Sequence, residues 1–135
     1  MKTQIFKHRS HAALSSLCWG VYMILNGISM IIQPNSMLET MGFEPTVEIW
    51  IRMAGLLALV LGYYYVQMGR YHFLPFYTWK IIGHIAGIII MTTFYLQGLA
   101  PGSILMLCLG DMLAALWTAW GIFEDRKRAI PAAMT

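Results

Sequence analysis

Apolar residues fall in four long blocks along this chain, at about residues 12–33, 48–68, 76–97 and 102–123, with short polar and turn-forming stretches between them. Each block is about 20 residues long, and a helix of that length, rising 1.5 Å per residue, crosses a hydrocarbon core of roughly 30 Å. Tilted barrel strands need only about 10 residues, and lipid tolerates no unpaired backbone in any other conformation. The pattern predicts an all-α, polytopic membrane protein: a four-transmembrane-helix bundle forming one integral membrane domain over residues 1–135.

The links agree with this reading. "QPNSMLETMGFEPTVE" (33–48) holds two prolines, a glycine and three acids, "GRYHFLP" (69–75) is polar and turn-prone, and "QGLAPG" (97–102) places a proline just before the fourth block. Glu48 lies near the start of the second block, where the positive end of a helix dipole favours an acid. Composition sharpens the class. Of 135 residues, 59% are hydrophobic and 11% charged, against about a quarter charged in soluble domains, and the mean hydropathy is +0.62.

Charge then sets an orientation. Lys2, Lys7, Arg9, Arg70, Lys80, Arg126, Lys127 and Arg128 all fall on one side of the four blocks, eight of the nine Lys and Arg residues. The positive-inside rule puts that side, with both termini, in the cytoplasm, and the expected location is a bacterial inner (plasma) membrane. A net charge of +3 is accounted for by topology, and "EDRKR" is too short and mixed for a nucleic-acid patch. The basic start before the first block resembles a signal peptide, but the apolar run is long and no A-x-A site closes it, so the first helix is expected to remain as an anchor. Cys18 and Cys108 lie at depths of about 9 and 21 Å, too far apart to bridge, and read as small buried hydrophobes. Tyr63, Tyr64, Tyr65, Phe76, Tyr77, Trp79, Trp117, Trp120 and Phe123 gather near the basic rim and read as an interfacial belt.

Polar residues inside the blocks are the candidate chemistry, because an ionisable group at such depth usually faces other helices and finds a partner there. Asp111 is the only charged residue in "SILMLCLGDMLAALWTAW" (103–120). Counted from the basic side, Asn26 lies at about 21 Å, Arg52 at about 24 Å, His84 at about 12 Å and Asp111 at about 16 Å. An Arg side chain reaches roughly 6 to 7 Å at its 1.5 Å-per-residue depth equivalent of four to five positions, so an Arg52–Asp111 pair is expected if their helices are neighbours. His84 would bond the other carboxylate oxygen or stand free in a cavity, and Asn26 would cap the cluster or bind a carbonyl. The four form either a clasp fixing helix register or a polar pocket for a small molecule, a quinone head or a proton.

Small residues predict where helices touch. Gly83 and Gly87 bracket His84 as G-x-x-x-G, Gly110 and Ala114 flank Asp111, Ala115 pairs with Ala119, and Gly20/Gly27 and Gly55/Gly62 recur at seven-residue spacing on one helix face. Other chemistries have less to stand on. His8 and His11 have the i, i+3 spacing of a metal pair but no accompanying Cys or carboxylate cluster, so no metal is expected. A haem would require a second axial ligand for His84, and the eleven methionines read as apolar filler. No C-x-x-C, G-x-S-x-G or Walker sequence occurs.

The stretches "GVYMILNGISMIIQPNSMLETMGFEP", "WIRMAGLLALVLGYYY" and "GDMLAALWTAWGIF" resemble the DoxX-like group of small four-helix bacterial membrane proteins. The resemblance covers about residues 20–123 and rests on Gly20, Gly27, Pro34, Arg52, Gly55, Gly62, Asp111, Ala115, Trp117 and Thr118. "IIGHIAG" departs from it, with His84 where such proteins often carry an arginine. The resemblance implies the four-helix fold and, for some relatives, membrane subunits of thiosulfate:quinone oxidoreductase or accessory proteins of redox pathways. The expected role is an accessory or small lipophilic-ligand-binding module, non-enzymatic on its own, with no resident cofactor, and a homodimer or larger membrane complex formed through small residues. The alternative is a membrane subunit of a quinone-linked oxidoreductase, or an isomerase, with Arg52, His84 and Asp111 lining the pocket.

Overall fold

The computed structural model describes the backbone of residues 10–132 and the side chains of residues 10–127. Lys2, Lys7, His8 and Arg9, and the side chain of Arg128, which entered the charge count and the metal reading above, lie outside these. The described residues form five helices: α1 (His11–Ile32), α2 (Pro34–Thr40), α3 (Trp50–Arg70), α4 (Leu74–Leu96) and α5 (Ile104–Ala132). Four of them are long and apolar enough to cross a membrane, and the many large apolar side chains left exposed on their outer faces suit lipid rather than water.

Two boundaries differ from the sequence expectation. The first connection contains α2, a helix of seven residues started by Pro34, whose missing N–H costs nothing at a first helical position. The last helix continues beyond 123 to Ala132, because "EDRKRA" contains good helix formers that no turn residue interrupts.

Three helices end in the same way, with a left-handed residue that turns the chain back onto the helix's last carbonyls. Gly42 (φ 75°) closes α2 with Phe43 N–H donating to Leu38 O, and Gly98 (φ 70°) closes α4 with Leu99 N–H donating to Phe94 O. At the end of α3 the same position is held by His72 (φ 53°), with Phe73 N–H donating to Met68 O. A side chain there meets steric cost that glycine avoids.

The tightest packing joins α1 to α3. A Cβ on Gly27 would stand 2.6 Å from the Gly55 carbonyl oxygen, and one on Gly62 would stand 2.7 Å from that of Gly20. Gly69 extends the row toward Ala13, where a Cβ would be 3.0 Å from the carbonyl oxygen. The seven-residue glycine spacing therefore marks a seam in which two antiparallel backbones touch, and only hydrogen fits between them. α1 also packs along α5, where Gly121 lies against the backbone of His11 and Ala12. α4 packs chiefly on α5. Thus α1 lies between α3 and α5, and the side chains of α3 and α4 meet through Tyr65 and Phe76, whose rings are edge to face at 4.9 Å.

The G-x-x-x-G around His84 is not such a seam. A Cβ on Gly83 or on Gly110 would meet nothing within 4 Å. Of the small pairs expected on the last helix, Ala114 and Ala115 are buried, whereas Ala119, the expected partner of Ala115, is exposed. Aromatic residues at the basic rim divide: Tyr63, Tyr64, Trp79, Trp120 and Phe123 are exposed as a belt requires, while Tyr77 is fully buried.

Candidate functional site

Asp111 sits two turns into α5 and His84 near the middle of α4, and the packing of these two helices brings them together. His84 Nδ1 lies 2.9 Å from Asp111 Oδ1. The histidine is 5% exposed, and the Trp19 ring packs edge-on against it at 4.8 Å. Nδ1 faces the carboxylate, and the other ring nitrogen, Nε2, is buried with no hydrogen-bond partner among the described residues. Of the two positions expected for His84, bonded to the carboxylate or free in a cavity, the structure has the first.

The expected Arg52–Asp111 pair does not form. Arg52 is the third residue of α3, at the rim rather than deep in the helix, and its exposed guanidinium donates to the Ile31 carbonyl oxygen. That carbonyl is one of the last of α1, which has no helical partner of its own, so Arg52 caps a negative helix end. The reason is topological: α1 stands between α3 and α5 and keeps Arg52 from the carboxylate. Asn26 also stays out of the cluster, donating 2.8 Å to the Tyr22 carbonyl oxygen of its own helix.

The outer oxygen of Asp111 faces open space. A Cβ on Gly87 would be 3.6 Å from Oδ2, so this glycine leaves room beside the carboxylate. Asp111 is 17% exposed and forms part of the wall of a groove of about 340 Å³ lined by Trp19, Tyr22, Met91, Met106, Leu107, Gly110 and Asp111. The groove lies among α1, α4 and α5 and runs from Asp111 toward the α4–α5 connection. Its wall is apolar and aromatic with one acid set into it, the usual composition of a small-molecule site.

A second buried polar group escaped the sequence reading. Lys80, placed by its sequence at the edge of the third block, lies in the second turn of α4, 2% exposed. Its Nζ donates to Ser15 Oγ at 2.8 Å, and Ser15 is in turn 2.8 Å from Thr118 Oγ1. The Tyr65 ring faces Nζ at 5.8 Å, and no carboxylate among the described residues pairs with it. Lys80 therefore leaves the charge count that orients the chain. Two regularities carry the signal for this cluster: Lys80 and His84 are one helical turn apart, and Asp111, Thr118 and Asp125 recur every seven residues, all facing α1 or α4. At the end of this row Ser10 caps α1 and donates to Asp125, tying α1 to α5.

Cys18 and Cys108 are both free, and only Cys108 is buried. No group of three or more His, Cys, Asp or Glu suited to a metal ion occurs among the described residues. Comparison of the chain with protein-family models, curated proteins and solved structures finds no match. Chemistry at the Asp111 groove thus rests on this chain's own residues.

Proposed function

We propose that this chain is a polytopic inner-membrane protein of DoxX-like type that binds a small lipophilic molecule in the groove beside Asp111. The observation that carries the reading is a carboxylate oxygen free toward a groove of about 340 Å³, while the other oxygen is held by a buried histidine. Holding one oxygen fixes the direction of the other, and such preorganisation lowers the ordering cost of binding. A ligand entering from the bilayer meets apolar walls first and the acid last. The basic side, with Arg70, Arg126 and Lys127, is taken as cytoplasmic by the positive-inside rule.

A second reading makes the same groove part of a quinone-linked oxidoreductase subunit or an isomerase. It is favoured by one feature: an Asp–His couple can hold and release a proton beside a bound head group. Arg52 has no part in either reading.

The test uses Gly110, which lines the groove and has open space where a side chain would begin. Protein purified in mild detergent should carry a small molecule detectable by native mass spectrometry, and Gly110→Trp should lose it while keeping its thermal transition. Equal occupancy in both proteins would place the molecule elsewhere and remove the basis of the proposal.

A further inference from the structure

We infer that the ligand of this groove is a lipophilic cation, an amine or quaternary ammonium with an apolar body; this deepens the groove reading above and rests on it. Three observations point the same way. The first is charge. Asp111 is the only Asp, Glu, Lys, Arg or His in the wall, so an anionic head group would meet a carboxylate and no cation. The nearest basic groups do not face the groove: His84 is bonded to the inner oxygen, Oδ1, and is not part of the wall, and Lys80 is turned to Ser15 and Thr118.

The second is the company the carboxylate keeps. Trp19 and Tyr22 line the groove beside it, with ring centroids 5.1 Å apart and planes inclined by 39°. Aromatic faces attract cations through their quadrupoles, and the attraction grows where water is excluded. A carboxylate with two rings is a receptor for ammonium, while a neutral molecule would gain only the apolar walls. Met91 and Met106 add polarisable thioethers that adapt to the shape of an apolar body.

The third is how Asp111 is held. His84 is nine-tenths buried and is itself pinned by the edge of Trp19, so the ring that would face the cation also fixes the histidine behind the acid. Trp19 thus serves both partners. His84 is a positioning residue that touches no ligand.

The experiment uses the full chain in dodecyl maltoside, whose head group is uncharged and carries no choline. Benzyltrimethylammonium and its neutral isostere neopentylbenzene are titrated against wild-type protein, followed by tryptophan fluorescence and calorimetry. The cation should bind at least tenfold more tightly than the isostere. Asp111→Asn, which can still accept from His84, should lose at least tenfold for the cation and little for the isostere. Trp19→Leu should weaken cation binding several-fold, which keeps a test available if Asp111→Asn does not fold.

Equal affinity for the two probes, or cation affinity unchanged in Asp111→Asn, overturns the inference and leaves the groove standing as a site for neutral molecules. No binding of either probe also overturns it, and the occupancy of Gly110→Trp then decides separately whether the groove reading falls too.

Discussion

Replacing Gly27 by alanine sets two helix effects against each other. In an isolated helix the change favours the helical state by about 1 kcal/mol, because glycine loses more backbone freedom. In this protein the new Cβ would lie 2.6 Å from the Gly55 carbonyl oxygen and 2.8 Å from the Leu59 amide nitrogen. Both atoms are backbone and cannot rotate away, so α1 and α3 must separate by several tenths of an ångström along the seam. Overpacking of this kind costs about 1–3 kcal/mol. The seam also sets where Trp19 and Tyr22 stand, since both are on α1 a turn or less from Gly20. The net prediction for Gly27→Ala is a loss of about 0–2 kcal/mol. Gly83→Ala, with nothing within 4 Å of its Cβ, is the matched control, predicted neutral to stabilising by up to about 1 kcal/mol. Reversible unfolding in mixed micelles, with the two variants side by side, measures the difference. If Gly27→Ala is as stable as Gly83→Ala, the α1–α3 seam is not the close contact described.

Further perturbations separate the other features. Arg52→Gln removes a rim cap and should cost less than about 1 kcal/mol in the same unfolding assay, against the 3–5 kcal/mol expected had it been the partner of a buried acid. Lys80→Met replaces a buried amine that has one hydroxyl partner by an apolar group of similar shape. It should be neutral to stabilising, with a rise in thermal midpoint; a loss above about 2 kcal/mol would mean the amine has a charged partner. Thr118→Val removes bonds to Ser15 and to the Ala114 carbonyl and should cost about 0.6–1.7 kcal/mol, the range for interhelical hydrogen bonds in membranes. His72→Gly relieves a left-handed residue closing α3 and should stabilise by about 1 kcal/mol, read from the same transitions.

Much of the architecture was legible because lipid imposes a coarse rule. A helix that crosses a membrane must be apolar for about 20 residues, so the four blocks mark the four long helices to within a few residues, except at the end of α5, which runs on to Ala132. The glycine heptads were legible too, since Gly20, Gly27, Gly55 and Gly62 have no role at that spacing other than close approach. The candidate site was only half legible. Depth counting brought His84 and Asp111 to similar levels, and their bond follows. It also brought Arg52 near Asp111, and failed there because depth carries no information about which helices are neighbours. Order around the assembly is set by the α1–α3 seam, and α5 packs on α1 and α4 rather than broadly on α3. Lys80 was misplaced for a different reason: it lies only four residues inside the third block and was counted with the basic rim, whereas α4 turns it inward against Ser15. G-x-x-x-G at His84 marks room rather than contact, a distinction that needs the partner's position.

The central claim is that a lipophilic molecule occupies the groove beside Asp111, and the chain carries its own reporters, since Met91 and Met106 line that groove while the seven other described methionines do not. The direct measurement is methyl NMR of ¹³C-methionine-labelled protein in micelles, stripped of bound molecules and then titrated with the organic extract of unstripped wild-type protein. Saturable shifts confined to Met91 and Met106, and absent in Gly110→Trp, are the predicted result. Shifts spread over all methionines, or unchanged in Gly110→Trp, would contradict it.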